Sequence, residues 1–333
     1  MQQELEKEDI TIINYSALLK KIDWQKYASF IALLVLILIS SFLSPYFLKF
    51  QNLLNILRQV SYTGIIALGM TFVIIGGGID LSVGSLTAFI GAIVVLLINF
   101  LGTIIENEVT VIIIGIVTGI IAGALFGAFN GFMITKGKIA PFIVTLGSMA
   151  IFRSLSLYIG NAGEIRSFNV LYGEFGMGSF IRIPVPVWVM IVLAAILNLV
   201  LNNTRYGRYI CAVGSNQNVA RFSAINVNFV RFFSYTLNGI LVALSSILLA
   251  SRFNAVSTSN MGLGFELDAI AAVIIGGTAL TGGRGTVWGT VCGAVILGVI
   301  NNMMNMVGVS PYLQGTVKGL VIIGAVYVQR QKQ

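Results

Sequence analysis

An all-α integral membrane protein of about ten transmembrane helices, some of them broken or re-entrant, is what this sequence predicts. Three observations carry that reading. Hydrophobic residues make up 57% of 333 positions and charged residues only 10%, a composition that no soluble domain can hide in its core. Apolar runs long enough to cross a bilayer, on the order of 17 to 25 residues, recur along the chain. Three consecutive glycines, Gly76, Gly77 and Gly78, interrupt one run, and an aspartate, Asp80, precedes its restart.

In chain order the runs fall at 27–43, 53–75, 83–101, 110–133, 139–158, 187–203, 232–251, 267–280, 287–307 and 312–328. The eighth is shorter than a full crossing and is expected to be tilted or half-buried. Residues 1–26 read as a cytoplasmic lead, too long and too acidic for a signal peptide with Glu4, Glu6, Glu8 and Asp9, so the first span is expected to stay uncleaved. Residues 27–329 form one polytopic domain, with a polar cytoplasmic loop at 204–231 and a short tail at 330–333.

Charge sets the orientation. With the N-terminus inside, Lys20, Lys21 and Lys26, then Lys136 and Lys138, then Arg205, Arg208, Arg221 and Arg231, then Arg284, and last Arg330 and Lys332 all fall on the cytoplasmic side. The opposite loops hold Glu106, Glu108, Glu164, Glu174 and Glu266. The net charge of +8 is therefore an orientation signal and not a nucleic-acid footprint.

The broken segments repeat. Val73 to Gly77 reads VIIGG and so does Val273 to Gly277, 200 residues later, while GAIVVLLIN from Gly91 is echoed as GAVILGVIN from Gly293. In hydrocarbon an uncovered helix break leaves backbone groups unpaired, so Gly76, Gly77, Gly78, Gly276, Gly277, Gly282 and Gly283 are gate or cavity candidates. Elsewhere Gly115, Gly119, Gly123, Gly127 and Gly131 recur every fourth residue and read as a groove for a neighbouring helix of the same chain.

Chemistry is sparse. The chain has no histidine and two cysteines on separate elements, so neither a Cys/His metal site nor a disulfide framework follows. Asp80 is expected to cap the restarted helix, with Ser82 beside it, rather than to meet substrate. Glu266 and Asp268 face different directions on one helix. Asp268 is expected to cap that helix, and Glu266 to meet water or a cation such as Arg252. Arg284 and Lys318 complete the charges near apolar runs. No GxxxxGK[ST] motif occurs, so any ATP and its Mg²⁺ belong to another chain. The basic loop, with four arginines and no acid, reads as a docking surface or a phospholipid-facing anchor; Gly214-Ser215-Asn216 offers a turn and cap, and Val219, Phe222 and Ala224 an apolar side.

Four segments, at 69–85, 204–227, 264–290 and 314–326, closely resemble the permease subunit of bacterial ribose-type sugar ABC importers. The resemblance covers nearly all of the chain after about residue 45. It implies a type II, vitamin-B12-importer-like fold, a second permease copy, an ATPase with two nucleotide-binding halves and an extracytoplasmic sugar-binding protein. It also places Gly207, Arg208, Gly214, Asn216, Ala220 and Arg221 in a cytoplasmic coupling loop, with Phe222 next to them; the family usually has glycine where this chain has Ala224. Two other classes stay open on the residues alone. An ion-coupled secondary carrier would use Asp80, Glu266 or Asp268, and a membrane enzyme would place its chemistry there.

Overall fold

The computed structural model describes residues 24–330. The acidic lead, Lys20, Lys21 and Lys332 lie outside the described residues, as does the side chain of Lys26. Thirteen helices occupy most of the described chain. They are α1 (Trp24–Leu43), α2 (Phe50–Ile75), α3 (Val83–Leu101), α4 (Glu108–Thr135), α5 (Pro141–Ile159), α6 (Val170–Met177), α7 (Val185–Asn203), α8 (Arg205–Ser215), α9 (Gln217–Phe222), α10 (Val227–Phe253), α11 (Phe265–Ile275), α12 (Val287–Met306) and α13 (Pro311–Arg330). Among the described residues, seven are long and apolar enough to cross a membrane: α2, α3, α4, α5, α7, α10 and α12. The chain is not wholly helical. Strand β1 (Glu164–Arg166) pairs antiparallel with β4 (Ala255–Ser257), and β2 (Ser179–Phe180) with β3 (Ile183–Pro184).

Helix α2 runs through the centre, its second half buried almost without interruption from Val60 to Ile75. It packs on α10, α12, α11 and α7. Helix α4 shows how sequence writes a membrane face. Its glycines at 115, 119, 123, 127 and 131 are all buried, whereas Ile113, Val117, Ile121, Leu125 and Phe129, two residues out of phase and so on the opposite side, are exposed. A Cβ at Gly123 or Gly127 would strike the backbone of Gly239 or Tyr235 on α10, so the two helices touch main chain to main chain. The glycine groove is thus filled from within the chain.

Helix α11 has 11 residues and rises about 16 Å, roughly half of a hydrocarbon core. Its start is set by an incoming loop: Gly262 and Gly264 take φ of 72° and 77°, and Gly262 lies against Gly84 in the first turn of α3. Arg153 on α5 holds that loop, its guanidinium donating to the carbonyls of Thr258 at 2.9 Å and Met261 at 3.1 Å. Arg153 is also the cation electrostatically coupled to Glu266. Arg252 instead lies over the rings of Tyr62 and Phe253, so the expected Glu266–Arg252 pairing is not what the fold makes.

Candidate functional site

The VIIGG echo is a structural repeat of helix endings. At the end of α2, the N–H groups of Gly76, Gly77 and Gly78 donate to the carbonyls of Phe72, Ile74 and Val73 at 3.0, 2.9 and 2.9 Å. At the end of α11, those of Gly276, Gly277 and Thr278 donate to Ala272, Ile274 and Val273 at 2.9, 2.8 and 3.2 Å, the same offsets shifted by 200 positions. Gly77 and Gly277 sit at φ 75° and 91°, where a side chain is strained.

The two endings meet. Gly283 donates its N–H to the carbonyl of Ile75 at 2.9 Å, closing the loop after α11 onto the last residue of α2. Gly214, in the last turn of α8, fits between them: a Cβ there would overlap the Ile75 carbonyl oxygen and come within 2.5 Å of the Gly283 nitrogen. Gly282, at φ 87°, lies beside both Gly214 and Gly77. Sequence-separated gate and loop candidates therefore form one glycine-lined junction.

The basic loop is built as two helices against this junction. Thr204 caps α8 by accepting from Gly207 N at 3.2 Å, and a Cβ on Gly207 would strike the carbonyl of Leu201, which fixes the tight corner after α7. Ile210 and Val213 are buried, while Arg205 and Arg208 are exposed. Asn216 caps α9 by accepting from Asn218 and Val219 N at 3.0 and 3.1 Å. Ala220 is buried and Arg221 exposed. Val219 and Phe222 do not form a buried apolar side: Phe222 is 92% exposed. Ala224 lies past the helix at φ 60°, which gives a physical reason for glycine at that position. Among the described residues none of Arg205, Arg208, Arg221 and Arg231 has a carboxylate partner.

Asp80 is not a cap. Ser82, two residues on, holds the N-cap position of α3, and the carboxylate sits in a buried polar hub. Oδ1 accepts from the Ser82 backbone N–H at 2.9 Å and hydroxyl at 2.6 Å, and Oδ2 from Asn238 Nδ2 at 3.0 Å. Asn130 on α4 donates to Ser82 Oγ at 3.0 Å and accepts from Ser148 on α5 at 2.6 Å. Tyr235 ties in the adjoining backbone by donating to the Ile79 carbonyl at 3.2 Å. Sequence reasoning missed Asn130, Ser148 and Asn238; the available signal was an amide in an apolar run, as in AFNG and TLNG. Asp268, four residues into α11, is not a cap either, since Gly264 holds that position; it pairs with Lys318 of α13 at 3.0 Å. Arg284 is exposed, and its carbonyl accepts from Ala279 N at 3.0 Å, closing the loop that presents Gly282 and Gly283. Nothing brings Glu266, Asp268 or Lys318 to the glycine junction: they stand at the other end of α11.

Comparison with known proteins adds the following. A family described as branched-chain amino acid transport system, permease component, matches residues 52–326. The chain is 46% identical to the ribose import permease protein RbsC of Bacillus subtilis (strain 168), covering 92% of this chain and 94% of that protein. It is 42% identical to RbsC of Escherichia coli (strain K12), with the same coverages. The D-allose transport system permease protein AlsC of E. coli (strain K12) is 37% identical over 92% of each chain. No solved structure matches.

Proposed function

Because the chain belongs to the permease family described as the branched-chain amino acid transport system permease component, we propose that it is the membrane subunit of an ATP-driven importer of ribose or a related monosaccharide. The carrying observation is the glycine junction: a basic loop whose last turn is wedged between the broken ends of α2 and α11. A push on α8 reaches the end of α2 and the loop after α11 together, because at Gly214 backbone meets backbone on both.

In this reading two copies flank a pathway in the type II arrangement, each with ten crossings and both termini in the cytoplasm of a bacterium. ATP and Mg²⁺ bind a separate ATPase with two nucleotide-binding halves, and an extracytoplasmic binding protein delivers sugar. The sugar is neutral and must leave quickly, so alternating access and not tight binding drives the step. Ion coupling is the weaker reading, since Lys318 neutralises Asp268 and three donors occupy Asp80.

Arg221→Glu and Phe222→Asp test the docking role. Both side chains are exposed, so the chain should insert at normal levels. A reversed charge or a buried carboxylate at a complementary interface costs several kcal/mol, on the order of 2 to 5. The expected result is weak ATPase co-purification and loss of sugar-stimulated hydrolysis; unchanged binding and full uptake would make the loop a mere anchor.

Single cysteines test orientation. Positions Asn107 and Phe168 should react with an impermeant thiol reagent from outside, and Lys138 and Ser215 only after the cytoplasmic face is opened. Phe168 is chosen because it is 83% exposed while neighbouring Ser167 is 7% exposed. Reaction at Ser215 in intact cells would invert the topology.

A further inference from the structure

At the opposite end of α11 from the glycine junction lies a cavity of about 690 Å³, inside the size range of small-molecule sites. It opens between α2, α10, α11, α12 and α13, from Glu164 and Asn260 near the β1–β4 ribbon down to Ala272 and Gly298. The short α11 and the loop that enters it, Asn260 to Leu263, form one wall.

The wall chemistry discriminates between occupants. Gln59 and Thr63 of α2, Asn301 of α12 and Asn260 of the loop bring uncharged donors and acceptors from three sides. The Asn301 side-chain oxygen is buried with no hydrogen-bond partner. Such an acceptor destabilises the fold unless something fills it. Asp268 and Lys318 neutralise each other at 3.0 Å, yet retain unused lone pairs and N–H groups. The Arg252 charge lies over the Tyr62 ring, which itself faces the cavity. Acyl chains need an apolar wall, and a phosphate needs converging cations. Here apolar side chains such as Leu249, Phe253 and Leu297 cover much of the wall with hydrogen-bonding groups set among them, a mixture that suits the C–H faces and hydroxyls of a sugar better than an acyl chain, and the two cations do not converge, since Lys318 is held by Asp268 and Arg252 lies over Tyr62.

We propose that this cavity is a transient binding site for a neutral monosaccharide inside each single chain, with Asn301, Gln59 and the Asp268–Lys318 pair meeting its hydroxyls. The inference rests on the import reading and deepens it. Helix α11 then carries the sugar site at its start and the glycine junction at its end, one rigid half-crossing from the other.

The test uses the assembled complex in lipid vesicles, with Cys211→Ala and Cys292→Ala as background and Asn301→Cys as reporter. D-Ribose, D-allose or L-arabinose at millimolar concentration should slow maleimide alkylation of this cysteine several-fold. A Phe168→Cys control, in an exposed loop away from the cavity, should be unaffected. In parallel, Asn301→Leu should lower uptake several-fold at a normal membrane level and with normal ATPase co-purification. A cysteine that never reacts, or reacts equally with and without every sugar, overturns the proposal. So does one shielded by phospholipid but not by sugar, which would assign the cavity to lipid. If the unmodified complex imports none of the three sugars, the import reading fails on its own, whatever the cysteine reports.

Discussion

Gly214→Val is expected to abolish sugar uptake while the chain still reaches the membrane in normal amount. The smallest added carbon at that position overlaps the Ile75 carbonyl oxygen and crowds the Gly283 nitrogen, both of them backbone atoms that cannot rotate away. Helix α8 must lift off, which breaks the three-way contact; overpacking of this kind costs about 1 to 3 kcal/mol. Gly77→Ala is the informative contrast. Nothing lies within 4 Å of a Cβ there, so the change costs only the strain of φ 75°, roughly 1 to 2 kcal/mol, and most uptake should survive. Uptake, ATPase co-purification and basal hydrolysis measured on both variants decide the matter. Normal transport by Gly214→Val would mean that motion is transmitted elsewhere.

Asp80→Leu has the second large effect, on assembly. It strips the acceptor from the Ser82 N–H and hydroxyl and from Asn238, all in a buried setting; each orphaned donor costs on the order of 1 to 3 kcal/mol. Membrane levels and thermal stability in detergent should both fall sharply. Asp80→Asn should be tolerated for a reason visible in the hub. One side of the new amide still accepts from Ser82, while the other becomes a donor facing Asn238. The Asn238 oxygen has no partner, so rotating that amide by half a turn restores the bond. A variant Asp80→Asn that assembles normally and hydrolyses ATP but does not transport would show that the charge itself is used.

The spans were legible because hydrophobic length is a local property: α3 occupies 83–101 as the pattern indicates, and α12 ends one residue short of its expected 307. The two glycine breaks were legible as breaks, since three glycines cannot hide in an apolar run. That they touch was not. Gly214, Gly283 and Ile75 are joined only by topology, and backbone contact leaves no trace in residue type beyond the glycines themselves. Asp80 was misread for a related reason. Spacing before a helix suggests a cap, but Ser82 takes that position and the carboxylate is turned inward, into a hub completed by amides 50 and 158 residues away. The strand pairs, two and three residues long, were below anything periodicity resolves.

The hub has a consequence for biogenesis. Its members enter the membrane in the order Asp80, Asn130, Ser148, Asn238, and the last is delivered only with α10. A nascent chain that stops before residue 238 holds an intramembrane carboxylate one donor short, and α4 without the helix that fills its glycine groove. Lateral release of the early helices into lipid is therefore penalised until α10 arrives. The completed chain closes both at once, since the helix that brings Asn238 to Asp80 is the one that fills the glycine groove.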